Sequence, residues 1–267
     1  MKPMEPGSSS PEAGAPESTP AAPTSLWARM FNVLASPGEV FEEVAASPPC
    51  AANWVAPMLL FALVSAVAMW LVYSQPALQQ QQDEASARFI QRLVEKGKLK
   101  PEQAAAMQAS SEPKSSLKYT LGPTAGAAVV ALASPFWGAL LIWLVGAKVL
   151  KGGFSYLKAV EVAGLACMVD VVGAIVRALL ILTFASLYAN ASPALLLKEF
   201  DWMKTSHLVL AMVDLFAIWL CVVRALGMAR LGGLKVGVCL AWLLGLYVLL
   251  SGLVMGLAAG VRALVGL

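Results

Sequence analysis

"VDLFAIWLCVVR", residues 213–224, lies inside the longer run "LVLAMVDLFAIWLCVVRALGMA" at 208–229. Apart from Asp214 and Arg224 the run carries no charge. It is long enough to cross a bilayer, which takes about 20 mostly apolar residues at ~1.5 Å each. An ion at that depth costs about 3 kcal/mol or more, so it must find a partner or a polar cavity. What these two charges meet therefore decides how the chain packs.

The same length test, run along the chain, finds spans at about 53–74, 125–148, 159–188, 207–229 and 236–260. Composition agrees. Of 267 residues, 59% are hydrophobic and 13% charged, with a mean hydropathy of +0.72. A soluble domain is about half apolar and about a quarter charged. The fold class is all-α: a polytopic, five-helix transmembrane bundle whose first partner is the lipid bilayer. The formal charge of +3 is spread thinly. It makes no basic stripe of the kind nucleic-acid binding needs, so no nucleic-acid partner is expected. The third run is longer than one crossing and must tilt or extend past the bilayer. Trp54, Tyr73, Tyr156, Tyr188 and Trp202 sit at span ends, as interfacial belts require.

Before the first span, residues 1–24 are rich in Pro, Ser and Ala, lack the apolar core of a signal peptide, and read as a disordered tail. Residues 25–48 read as two amphipathic helices. In the first, Leu26, Trp27, Met30, Phe31 and Leu34 share a face. The second starts at "SPGE", with Ser36 as cap, Pro37 as first helical residue and Glu39 as reciprocal capping partner. Val40, Phe41 and Val44 form its apolar face. These helices are expected in the membrane interface, with Trp27 and Phe41 as anchors; packing on the spans is the alternative. Between the first two spans, 75–124 is a polar insert. It reads as a helical hairpin broken at "KGKLKP", with a thin seam of Phe89, Leu93, Val94 and Leu99, standing off the membrane.

The third span contains Asp170 and Arg177, which share a helix face; the fourth contains Asp214 and Arg224. Counted from residue 159, Asp170 lies roughly 16 Å deep and Arg177 roughly 27 Å. The fourth span runs the other way, so Asp214 is level with Arg177, and Arg224 is within reach of Asp170. The depths predict crossed pairs, Arg177 with Asp214 and Asp170 with Arg224, with Glu161 a second candidate for Arg224. Two readings compete. The pairs either lock two spans in register or line a polar path for an ion or lipid headgroup. A water-filled cavity around Asp170 and Arg177 separates them.

The fifth span carries Gly252, Gly256 and Gly260, a flat face for close helix packing within the chain or in a homodimer. Pro135 predicts a kink in the second span. The loops holding Lys148, Lys151 and Lys158, and Arg230 and Lys235, are basic, which places the N-terminus in the cytoplasm. Both loops carry a double glycine followed by a lysine. Cys50, Cys167, Cys221 and Cys239 form no CxxC pair and read as small hydrophobes. With His207 the single histidine, no metal, cofactor or catalytic site is expected.

"LWARMFNVLASPGEVFEEVAASPP…NWVAPMLL", "KGGFSYLKAVEVAG" and "MVDLFAIWLCVVRALGMARL" together resemble the Yip-one family (Ypt/Rab-interacting membrane proteins), in its bacterial branch. The resemblance covers about 25–74 and 125–260, leaving out the tail and the insert. Asp214, Phe216 and Trp219 match its span motif; Gly152, Gly153 and Lys158 match its turn. It implies five spans, a cytoplasmic N-terminus and no catalysis, and in eukaryotic members Rab-GTPase interaction and membrane shaping. The expected function is a non-enzymatic, membrane-organising or partner-scaffolding protein, here of a bacterial inner membrane. A protein partner would be met through the N-terminal helices or the insert. The alternative is a small transporter, channel or lipid-translocating protein using the polar residues of the third and fourth spans.

Overall fold

Backbone groups at membrane depth have no water to bond, so long apolar runs must satisfy them as helices. The computed structural model describes residues 24–109, 116–197, 200–201 and 204–265, and no strand forms among them. The helices are α1 (Leu26–Ala35), α2 (Pro37–Ala46), α3 (Ala52–Tyr73), α4 (Pro76–Glu95), α5 (Pro101–Ala109), α6 (Ser116–Ile142), α7 (Tyr156–Phe184), α8 (Thr205–Met212), α9 (Leu215–Gly232) and α10 (Val236–Val265). Helix α6 runs on into a π-helical stretch, Trp143–Val149. Five of these, α3, α6 with its π-helical end, α7, α9 and α10, are long and apolar enough to cross a membrane. The protein is an all-helical, five-span membrane bundle. The tail up to residue 23 and the belt residue Trp202 lie outside the described residues.

Helix α7 is the centre. It is buried on every side over its first half, from Ala159 to Val169, with α3, α6 and α9 around it. Two glycines set the spacing. A methyl group on Gly164 would lie 2.4 Å from the Cα of Trp54 in α3, and one on Gly227 of α9 would lie 2.2 Å from Val162 Cγ1. Small residues there let backbones approach closely. Gly252, Gly256 and Gly260 do the opposite: nothing lies within 4 Å of a Cβ built on any of them. Among the described residues nothing packs on the stripe of α10, because α10 leans on α9 only near its start and leaves Leu253, Val254 and Leu257 outward.

Helices α1 and α2 dock on the bundle. Met30, Val33, Val40, Phe41 and Val44 belong to the same core as α7 and α9. Phe41, expected as an interfacial anchor, is fully buried, because the missing side chain of Gly227 opens a seat for its ring. Trp27 and Phe31 remain 62% and 61% exposed on the outer edge of α1. The predicted capping box is absent. Ser36 makes no side-chain cap, since it also closes α1 through its backbone N–H to Asn32 O at 2.7 Å. Its backbone (φ −129°, ψ 56°) is not the extended conformation a capping side chain needs.

The run at 207–229, predicted as one span, breaks at Val213 and Asp214. The third run stops at Phe184, where Ala185 turns left-handed (φ 46°). Helix α6 carries both Pro123 and Pro135 in its interior. Its irregular turn falls later, in the π-helical stretch. The insert does not simply stand off the membrane. Leu78 buries against Val72, Ala178 and Ile181, and Gln81 accepts from Leu187 N at 2.8 Å. These contacts tie α4 across the far ends of α3 and α7.

Candidate functional site

Two polar clusters lie within or against the spans. The first is at membrane depth. Arg177 donates through Nη2 to Asp214 Oδ2 at 3.1 Å. The other oxygen of Asp214 accepts from Phe216 N at 2.9 Å and Ala217 N at 3.1 Å, which makes Asp214 the N-cap of α9. This explains the break. An aspartate favours a helix start over a helix interior, and its charge complements the positive end of the helix. Asp214 is 7% exposed and fully engaged, whereas the Arg177 side chain is 57% exposed.

Asp170 and Arg224 do not meet as an ion pair. The Arg224 guanidinium lies against Gly138 of α6, where a methyl would sit 2.9 Å from its Cζ, and its buried Nε has no hydrogen-bond partner. Counting residues gives a side chain's height along a helix but not its direction around the axis. Here α9 is turned so that Arg224 faces α6. Arg224 and then Arg177 still act on Asp170 through space. Glu161, the second candidate for Arg224, is held elsewhere.

Asp170, Arg177 and Asp214 share the wall of a cleft of about 530 Å³. Its other walls are largely apolar, with Phe61 and Met69 from α3, Val130 from α6 and Phe216 from α9. Phe216 packs on Gly173, where a methyl would come within 3.1 Å of the ring, and its ring lies 6.2 Å from that of Trp219.

The second cluster joins the docked helices to the spans. Arg29 of α1 donates to Glu43 of α2 at 2.7 Å and to Asn53 Oδ1 at 3.2 Å. Asn53 passes the bond on, from Nδ2 to Glu161 Oε2 at 2.6 Å. Lys158 pairs with Glu161 Oε1 at 3.1 Å and donates to Val44 O, at the end of α2, at 2.6 Å. Arg230 of α9 pairs with Glu42. Burial alone would push the Glu43 carboxyl up, but hydrogen bonds from Arg29 and Thr24 outweigh it and hold the group below its ordinary value. Of the polar side chains in this cluster, sequence reading singles out Lys158 and, for other roles, Glu161 and Arg230. The signal available is a polar residue in the first turns of an otherwise apolar span, Asn53 in α3 and Glu161 in α7.

The two double-glycine turns are in contact. A methyl on Gly152 would lie 3.0 Å from the Cα of Gly232, and the reverse holds at the same distance. Gly153 (φ 71°) and Gly233 (φ 61°) are left-handed, as is Lys151 (φ 58°) in the first turn. Among the described residues no three His, Cys, Asp or Glu side chains converge as a metal site requires. All the cysteines are free, and Cys50 is exposed rather than buried.

Fold and clusters together define a class: a helical membrane protein with five spans, an amphipathic helix pair fastened to one face, and charges held within the bundle. The Yip1 domain matches residues 31–259, and the chain belongs to that family. No curated protein and no solved structure matches it.

Proposed function

We propose that this protein is a non-enzymatic membrane organiser, in which α1 and α2 form a fixed platform at the membrane surface. The observation that carries the reading is the chain Arg29–Asn53–Glu161, linked by hydrogen bonds and continued by the ion pair of Glu161 with Lys158, which closes on Val44 O. It spans α1, α2, α3 and α7 and holds Trp27 and Phe31 outward. A fixed apolar edge beside the spans suits insertion among lipid headgroups or docking of a partner protein. The platform face carries the basic loops and is the cytoplasmic face in this reading, with a bacterial inner membrane as its setting. The α4–α5 insert is a second partner surface at the opposite end. The test is partitioning of the reconstituted protein between flat membrane and a pulled membrane tube. Enrichment on the tube, lost in the Trp27→Ala/Phe31→Ala variant, is expected; equal partitioning rejects the reading.

The cleft favours a second reading, in which the bundle moves lipids or small solutes along Asp170 and Arg177. Exchange of head-labelled lipid between leaflets of the same vesicles tests it. No exchange above that of empty vesicles removes it.

A further inference from the structure

Three charges line the cleft, one fully engaged, Asp214, and two with capacity left, Arg177 and Asp170. Asp214 spends one oxygen on Arg177 and the other on the start of α9. Arg177 gives one nitrogen to Asp214 and leaves the rest of an exposed guanidinium edge toward the cleft. Asp170 lines the same space and, among the described residues, makes neither a hydrogen bond nor an ion pair. A carboxylate that far from bulk water is costly unless something occupies the space beside it.

Charge and shape narrow the occupant. Asp170 and Asp214 balance Arg177 and Arg224, so a guest with a net charge would unbalance the cluster. A zwitterion would not. Its cation suits Asp170, and its anion suits the open edge of Arg177. Along α7 the two lie about 10 Å apart in height, and the long Arg177 side chain can close much of that distance. Apart from Ser65, the remaining walls, among them Phe61, Met69, Val72, Val130 and Ile181, are apolar. A site that is apolar along its length and zwitterionic at one side fits an amphiphile better than a free solute. Asp170 is also an acceptor without a donor. A primary ammonium can donate to it, whereas a quaternary ammonium carries the charge without an N–H.

We propose that this cleft is a binding site for one aminophospholipid, with the primary ammonium on Asp170, the phosphate on Arg177 and the chains along α3 and α6. The proposal concerns binding alone. It depends on the cleft, not on the platform reading, and it does not require that lipid be moved.

The experiment is native mass spectrometry of the full-length, delipidated protein offered equal mixtures of phosphatidylethanolamine, phosphatidylcholine and phosphatidylglycerol. The expected result is retention of one phosphatidylethanolamine, favoured on the order of tenfold over the other two, the scale of one charge-assisted hydrogen bond. Asp170→Asn should abolish the preference over phosphatidylcholine. Ala127→Trp, which fills the cleft from α6 and leaves all the charged residues in place, should abolish retention; it keeps the test open if the Asp170 variant does not fold. Equal retention of the three lipids, or a preference that survives both substitutions, overturns the proposal. Competition by soluble phosphoethanolamine at the concentrations that suffice for the lipid overturns the lipid assignment. Leaflet exchange with no headgroup preference would support translocation and sink this site; preference without exchange would do the reverse.

Discussion

Asn53 and Glu161 are both fully buried, and the Asn53 amide donates to the Glu161 carboxylate at 2.6 Å. They lie 108 positions apart, on α3 and α7. The bond does two jobs. It satisfies a carboxylate that would otherwise be costly to bury, and it passes the connection on to Arg29 and so to the docked helices.

Asn53→Leu should therefore loosen the N-terminal helices and destabilise the whole bundle. One lost hydrogen bond to a buried charge is worth about 2 kcal/mol. Glu161→Gln keeps a partner for Asn53 and should be milder at that bond, while weakening Lys158. Thermal unfolding in detergent, with limited proteolysis of α1 alongside, reads both effects. An unchanged melting temperature in Asn53→Leu would show that the bond contributes little.

Asp214 both pairs with Arg177 and caps α9, and substitutions separate the two roles. Asp214→Asn retains capping ability and loses the charge; Asp214→Ala loses both and should cost about 1 kcal/mol more. The double exchange Arg177→Asp/Asp214→Arg restores the charge pair but not the cap. It should recover only part of the folded, monodisperse yield lost in the single variants. Full recovery would mean that the cap is unimportant.

Glycines in α7 and α10 should respond in opposite ways. Gly164→Ala puts a methyl 2.4 Å from a backbone atom of α3, which cannot move as a flexible side chain can. The variant should lose folded yield severely. Gly252→Ala and Gly256→Ala meet nothing and should leave the single chain intact. If these two substitutions instead shift the mass of the protein in nanodiscs from two copies to one, α10 is a homodimer face. If neither yield nor mass changes, the stripe has no packing role.

Acid should release the platform. Glu43 is held below its ordinary value of 4.5 in the folded state. Its contribution is complete above that value and is lost as pH falls through the lower folded value. Proteolysis of α1 should therefore accelerate below about pH 4.5, the ordinary carboxylate range, and Glu43→Gln should show the faster rate at neutral pH. A cleavage rate independent of pH in the native protein would reject the role of this carboxylate.

Much of the architecture is legible in the residues alone. Length and hydropathy decide the five spans, since a bilayer admits only helices of that length. The insert's two helices are visible as periodic stretches around "KGKLKP", where Gly97 turns left-handed. The Arg177–Asp214 contact is legible from depth counting, because both residues lie near the same end of antiparallel spans. The same arithmetic fails for Asp170 and Arg224.

What the sequence determines is what repeats along one dimension: which runs cross, how deep each residue lies, and which turns need glycine. The tertiary structure decides what depends on rotation and contact. It lays Arg224 against Gly138, out of ion-pair contact with Asp170. It seats Phe41 at Gly227, and it joins Arg29 to Glu161 through Asn53. Hydropathy reports how much a residue prefers lipid or water, but carries no angle around the helix axis. Only packing between helices supplies that angle, and here it leaves Asp170 facing an open cleft.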